Sequence, residues 1–189
     1  MKPKELLEFL AILEKLKCNT RHCYTTTNRQ ESVAEHSWRL SVMAMLLGEK
    51  FPEIDIAKVI KMCLIHDLGE AITGDIPCFD KSNSDEKVED FEVDVLLKTL
   101  PQPTQNELVA LFCEMRELKT QEARLFKALD KIEAVIAHNE SDIRTWVDIE
   151  YKLNLVYGEE ECSQFPYLKE LRELCKQVSI DKIKLANEK

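Results

Sequence analysis

The chain has 189 residues, of which 44% are hydrophobic and 32% charged, a balance typical of a folded globular protein. A chain of this length can bury a core without disulfides or a structural metal, so any metal would serve chemistry. The formal net charge of −9 repels polyanions. We therefore expect no binding to nucleic acid or to a membrane surface.

The seven cysteines are irregularly spaced and include no CxxC pair, and the N-terminus lacks the apolar segment of a secretory signal. The longest unbroken apolar run, residues 42–47, is too short to cross a bilayer. These features predict reduced thiols in a cytoplasmic protein.

Helical periodicity dominates the chain, and almost no segment alternates as a strand. The first predicted helix carries leucines on one face, and a polar, irregular segment follows at 18–31. Ser32 with Glu35 forms a capping box that opens the second helix, and Thr104 with Glu107 repeats this pattern. The predicted helices cover about 3–17, 32–50, 56–68, 85–99, 104–118, 121–139, 142–156 and 166–178. The expected fold is an all-α, single-domain bundle over 1–180, followed by a polar C-terminal tail at 181–189.

Two histidines and two aspartates lie on inward faces of these helices. His36 shares a face with apolar residues of its helix, the His66-Asp67 pair ends an apolar helix, and Asp130 lies on the inward stripe of another. A buried carboxylate is costly unless it is paired or bound to metal. Two nitrogens and two oxygens suit Mn, Fe, Co, Ni or Zn better than Ca. The alternatives are a core histidine at His36 and a buried Lys or Arg partner for Asp130.

Two more acidic residues, Glu70 and Asp75, follow the His66-Asp67 pair in a stretch rich in turn residues. A carboxylate near a metal but not bound to it can deprotonate water or protonate a leaving oxygen. Asp75 could instead cap the turn in Gly-Asp-Ile-Pro.

The pattern His36 … His66-Asp67 … Asp130 resembles that of the HD-domain superfamily of metal-dependent phosphohydrolases. The continuation H-D-x-x-E-x-x-x-G-D-x-P and the E-H-S around His36 are similar to the 5'-deoxynucleotidase subgroup, over about residues 4–155. The resemblance implies an HD-domain helical bundle in which these four residues bind one divalent ion.

The same resemblance implies that Glu70 and Asp75 position and activate the hydrolytic water. A single ion is expected because two-metal members carry extra histidines, whereas this chain has none between His66 and His138. His138 itself could line the pocket, hydrogen-bond a group behind it, or play a purely structural part.

Arg21 lies fifteen residues before His36, where the subgroup has an arginine that holds the substrate phosphate. Guanidinium suits phosphate because it forms paired hydrogen bonds. The next residue is typically Trp in the subgroup, packed near the sugar, and here it is His22. Arg29 is a second candidate phosphate contact, with a solvated surface charge as the alternative.

The sequence thus predicts a metal-dependent phosphohydrolase acting on nucleoside or deoxynucleoside 5'-monophosphates, with a small phosphorylated molecule as its partner. Two alternatives stay open. One is hydrolysis of another phosphoester, such as a phosphodiester, a signalling nucleotide or a nucleoside triphosphate. The other is a non-catalytic metal-binding helical module. A homodimer is implied by the resemblance, supported weakly by C-terminal apolar residues that could equally be core: Phe165, Tyr167, Leu168, Leu171 and Leu174.

Overall fold

The computed structural model describes residues 1–188 and confirms the predicted all-α fold. Within these residues, eleven α-helices surround one buried core, and a two-stranded hairpin packs beside them. The helices are α1 Pro3–Leu13, α2 Lys15–Cys18, α3 Val33–Leu47, α4 Ile56–Ile65, α5 Glu70–Thr73, α6 Asn83–Leu97, α7 Gln102–Glu117, α8 Gln121–Glu140, α9 Glu150–Val156, α10 Glu159–Ser163 and α11 Pro166–Asn187.

Helix α8 lies at the centre of the bundle and packs against α3, α4, α7, α10 and α11. Thr120 caps its N-terminus by accepting a hydrogen bond from the backbone N–H of Ala123. Its side chains Leu125, Leu129 and Ile132 are fully buried. Because apolar residues recur on every turn of this helix, polar residues on the same turns are also carried into the interior.

The segment predicted to be irregular folds instead as an antiparallel hairpin of β1, Thr20–Tyr24, and β2, Gln30–Ser32. Strands of five and three residues are too short for an alternating pattern to be read from sequence. Asn28 supplies the positive φ of 62° in the connecting turn. The hairpin packs β1 against α8 and leads directly into the capping box of Ser32 and Glu35, which forms as predicted.

Several predicted helix boundaries are wrong. The first helix is interrupted at Glu14, and of its leucine face only Leu16 is buried. Thr104 does not cap α7, which begins at Gln102 because proline is tolerated in the first turn of a helix. The predicted helix at 142–156 divides into the 3-10 turn Ile143–Thr145 and α9, and α10 was missed.

Helix α11 continues to Asn187, so residues 181–187 are helical where the sequence predicts a polar tail. The reason is long-range hydrogen bonding: Lys182 Nζ donates to the backbone oxygen of Asn139 at 2.8 Å. Lys189 lies outside the described residues. Among the apolar residues that weakly support a homodimer, Phe165 and Leu168 are buried in the core, whereas the side chain of Leu174 is 60% exposed.

All seven cysteines are free thiols, four of them buried and three exposed. Among residues 1–188 we find no helix with both the length and the apolar content required to span a bilayer.

Substitution of Leu129 by alanine should lower the free energy of unfolding by about 2–5 kcal/mol, because this fully buried side chain leaves a cavity in the core. The matched control is Leu7→Ala on α1, where the side chain is 67% exposed and the change should stay below about 0.5 kcal/mol. Urea denaturation measures both. Equal destabilisation by the two substitutions would contradict the central position of α8.

Candidate active site

Four predicted ligand residues are brought together from three parts of the fold: His36 on α3, His66 and Asp67 just after α4, and Asp130 on α8. Asp130 Oδ1 lies 3.2 Å from His36 Nε2 and 3.6 Å from His66 Nε2. Asp67 Oδ2 lies 3.0 Å from His66 Nε2 and 4.0 Å from His36 Nε2. His36, His66 and Asp67 each offer an atom within 4.8 Å of the others, and Asp130 Oδ1 approaches both histidines, so the set can surround a single ion.

The chemistry of this donor set fits a divalent metal. His66 Nδ1 donates to the backbone oxygen of Cys63 at 2.9 Å, whereas its buried Nε2 forms no aligned hydrogen bond, although Asp67 Oδ2 lies 3.0 Å away. Burial alone would raise the pKa of Asp130, but Lys127 and His36 hold it well below its usual value. The cluster therefore presents a free imidazole nitrogen beside ionised carboxylate oxygen, which is what Mn, Fe, Co, Ni and Zn prefer.

Glu133, which the sequence analysis missed, orients His36. Its side chain is 1% exposed and hydrogen-bonds His36 Nδ1, while Arg39 Nε donates to it at 2.5 Å. A carboxylate on one imidazole nitrogen fixes the ring so that the other nitrogen faces a metal. Glu133 follows Asp130 by three residues, so a second acid on the same inward helix face was the available signal.

Glu70 and Asp75 both lie beside this cluster. Glu70 is 4% exposed, its Oε2 has no hydrogen-bond partner, and its carboxylate lies within 4.8 Å of those of Asp67 and Glu89. Burial, then Asp67 and Asp75, raises the pKa of Glu70 to about 10. The carboxylates thus crowd negative charge beyond what nearby cations neutralise, and a divalent cation would relieve that repulsion.

A cavity lined by Arg21 and Asp75 is here called the Arg21 cavity; it encloses about 540 Å³ of space between atoms, open solvent included, and none of the four predicted metal ligands lines it. Its walls come from the hairpin, from the loop after α5, and from α8 and α9. Its lining residues include Arg21, His22, Asp75, Ala134, His138 and Asn154.

Arg21 enters this cavity from β1 as a buried cation. Its Nη1 lies 3.6 Å from Glu31 Oε2 and 3.7 Å from Glu133 Oε2, beyond hydrogen-bond distance, and has no partner. Burial would lower the pKa of Arg21, but Glu133 and Asp67 raise it, so the guanidinium stays charged. An unpartnered guanidinium donor beside a candidate metal site suits an anionic oxygen of a ligand.

Of the other predicted pocket residues, two line the Arg21 cavity and one does not. His22 lines the Arg21 cavity, and its ring meets that of Phe79 edge-on at 5.7 Å. His138 also lines it and lies 2.6 Å from Glu150 Oε1 through Nε2. Arg29 does not line the cavity: its exposed guanidinium donates to Glu35 at 2.8 Å, so the surface-charge alternative describes it. The capping-box carboxylate holds Arg29 on the outer side of the hairpin.

A second cavity reaches the cluster without sharing a lining residue with the first. Its walls include His66, Asp67 and Asp130 together with Lys127, which donates to Asp130 Oδ2 at 2.9 Å. Phe126, Lys127 and Asp130 line it on α8, whereas Ala134 and His138 line the Arg21 cavity on the following turns. Three of the predicted metal ligands therefore line the second cavity, whereas Arg21 and Asp75 line the first.

Substitution of Glu133 by glutamine should weaken the affinity for a divalent ion by about 10- to 100-fold, because His36 loses the carboxylate that orients it. Glu140→Gln is the control, since Glu140 also binds Arg39, at 2.5 Å, but does not touch His36. Titration of each variant with Mn or Zn by calorimetry measures the difference. Equal metal affinity in the two variants would show that Glu133 has no such role.

Comparison with known proteins agrees with this geometry. The HD domain family model matches residues 13–171. The 5'-deoxynucleotidase HDDC2 of Dictyostelium discoideum is 37% identical over 140 residues, covering 69% of this chain and 74% of the relative. The human 5'-deoxynucleotidase HDDC2 is 31% identical over 153 residues, covering 79% and 72%. A crystal structure described as a predicted metal-dependent phosphohydrolase from Magnetospirillum magnetotacticum matches with a TM-score of 0.81 and 26% identity, over 95% of this chain and 93% of that one. The chain belongs to the HD domain family.

Proposed function

We propose that this chain is a metal-dependent phosphohydrolase that releases phosphate from nucleoside 5'-monophosphates, deoxynucleotides included. The convergence of four ligand atoms beside the unpartnered guanidinium of Arg21 carries this proposal. The printed function of the relatives, 5'-deoxynucleotidase, supports the substrate class. We propose one ion, of Mn, Fe, Co, Ni or Zn, held by His36, His66, Asp67 and Asp130. The cytoplasmic location and the homodimer stay predictions.

The bound ion would supply Lewis acidity toward the phosphoryl oxygens and make water easier to deprotonate. Arg21 binds a second phosphoryl oxygen through its free Nη1 and neutralises charge that develops there. A water oxygen attacks phosphorus, and the bond from phosphorus to the sugar 5'-oxygen breaks.

Glu70 and Asp75 have opposite roles in proton transfer. Burial and the neighbouring carboxylates raise the pKa of Glu70, and a divalent cation at the site would offset that repulsion and leave Glu70 ionised. The unpartnered Oε2 of ionised Glu70 then accepts a proton from the attacking water. Asp75 lines the Arg21 cavity, where the leaving group lies, and delivers a proton to the departing 5'-oxygen. Burial raises the pKa of Asp75 above its ordinary value, which favours a proton-donating role.

Removal of metal with a chelator should abolish phosphate release from a panel of ribo- and deoxyribonucleoside 5'-monophosphates, and one of Mn, Co, Fe, Ni or Zn should restore it. Asp67→Asn should prevent the restoration, because one ligand oxygen is lost. The measurement is inorganic phosphate released per minute. If no nucleotide is hydrolysed with any of these ions, the proposed function is wrong, and other phosphoesters become the next substrates to test.

Substitution of Arg21 by methionine should lower kcat/KM for a nucleoside monophosphate by about 100-fold, because a buried anion contact is removed. Arg29→Met is the matched control: it lies on the same hairpin, removes the same charge and is bound to Glu35 outside the cavity. Its kcat/KM should change less than about twofold. Thermal melting checks that both variants fold. Similar losses in both would argue for a general charge effect instead of a phosphate contact.

A further inference from the structure

Residues of α8 and α9 line one side of the Arg21 cavity, and two side-chain contacts join these helices. Near the metal site, Lys131 Nζ lies 5.2 Å from the ring centroid of Tyr157. At the far end, His138 Nε2 lies 2.6 Å from Glu150 Oε1. These two contacts fix which turns of the helices face each other.

The two contacts bracket Asn154 on α9 and Ala134 on α8, and both residues line the cavity. Ala134 follows Asp130 by one turn, or about 6 Å along the helix axis. A ligand group held at Asn154 is therefore about one helical turn from the metal site, and His138 and Glu150 lie about one turn farther.

The Asn154 side chain is buried but not satisfied. The residue is 4% exposed, and its Nδ2 has no hydrogen-bond partner. A buried donor without an acceptor costs about 1–3 kcal/mol, so native structures rarely keep one without a reason. The position is also fixed, because the guanidinium of Arg172 donates to the backbone oxygens of Asn154 at 2.9 Å and of Tyr157 at 2.7 Å.

We propose that Asn154 Nδ2 donates a hydrogen bond to the 3'-hydroxyl oxygen of the nucleotide sugar. This inference rests on the proposed function, which places the phosphate at Arg21 and the metal site. In a nucleoside 5'-monophosphate the sugar follows the phosphate and the base lies beyond it, so the level of Asn154 is the level of the sugar. A 2'-deoxyribose joined to a base and a 5'-phosphate has one free hydroxyl, the 3'-hydroxyl. Asn154 is thus a specificity-determining residue for a sugar with that group.

The experiment combines one change in the protein with one change in the substrate. Wild type and Asn154→Leu are assayed on a deoxynucleoside 5'-monophosphate and on the 2',3'-dideoxy analogue with the same base. Wild type should prefer the 3'-hydroxyl by about 10- to 100-fold in kcat/KM, the effect of one buried hydrogen bond. Asn154→Leu should lose that preference, falling on the deoxy substrate and staying level with wild type on the dideoxy one.

A purely structural part for Asn154 gives a different result. The proposal would be overturned if Asn154→Leu lowered kcat/KM equally on both substrates. It would also be overturned if the wild type had the same kcat/KM on both. Asn106→Leu is the matched control: the same change at an exposed position of α7, where neither substrate should be affected. Asn154→Ser, a smaller side chain, serves if the leucine variant does not fold by thermal melting.

A binding measurement separates this inference from the proposed function. Metal-loaded Glu70→Gln protein, with and without Asn154→Leu, is titrated calorimetrically with the same two nucleotides. If the wild type hydrolyses neither nucleotide, the proposed hydrolysis is wrong. If the binding affinity still depends on both the 3'-hydroxyl and Asn154, the sugar contact is nevertheless supported. Equal affinity of the Glu70→Gln protein, with Asn154 retained, for the two nucleotides would overturn the sugar contact. No binding of either would overturn both.

Discussion

The site depends on one costly constraint: α8 places two carboxylates, the half-buried Asp130 and the fully buried Glu133, at the centre of an apolar bundle. Both are carried inward by α8, whose neighbouring side chains are fully buried aliphatics. Burial penalises each charge, and the penalty is offset by specific partners: Lys127 and His36 for Asp130, His36 and Arg39 for Glu133. The interior position of the histidine, and with it the geometry of the candidate metal site, follows from these pairings.

The surrounding elements add one function each to that centre. The end of α4 supplies a histidine and an aspartate, the hairpin supplies the buried guanidinium of Arg21, and α9 supplies the amide of Asn154. None of these elements is long, and each is held by a tertiary contact instead of its own propensity. The organic part of a substrate would thus be recognised by short segments resting on a rigid central helix.

Much of this could be predicted from the sequence, and the reasons differ by residue. His36 and Asp130 stand out because an inward polar residue breaks the apolar stripe of a long helix. Arg21 was found only through its family resemblance, since no periodicity marks a residue in a five-residue strand. No sequence pattern marks Asn154, because the feature that distinguishes it, a buried Nδ2 without a hydrogen-bond partner, is visible only in the folded structure. Arg29 is exposed and bound to Glu35, whereas Arg21 lines the cavity. The positions of the two arginines in the sequence do not predict this difference.

The two cavities differ in which functional residues they expose to solvent. His66, Asp67 and Asp130 line a cavity that shares no wall residue with the one that holds Arg21. A nucleotide confined to the Arg21 cavity would leave the second cavity, and the ligand residues that line it, open to solvent. The ion and the nucleotide would then reach the site through different cavities.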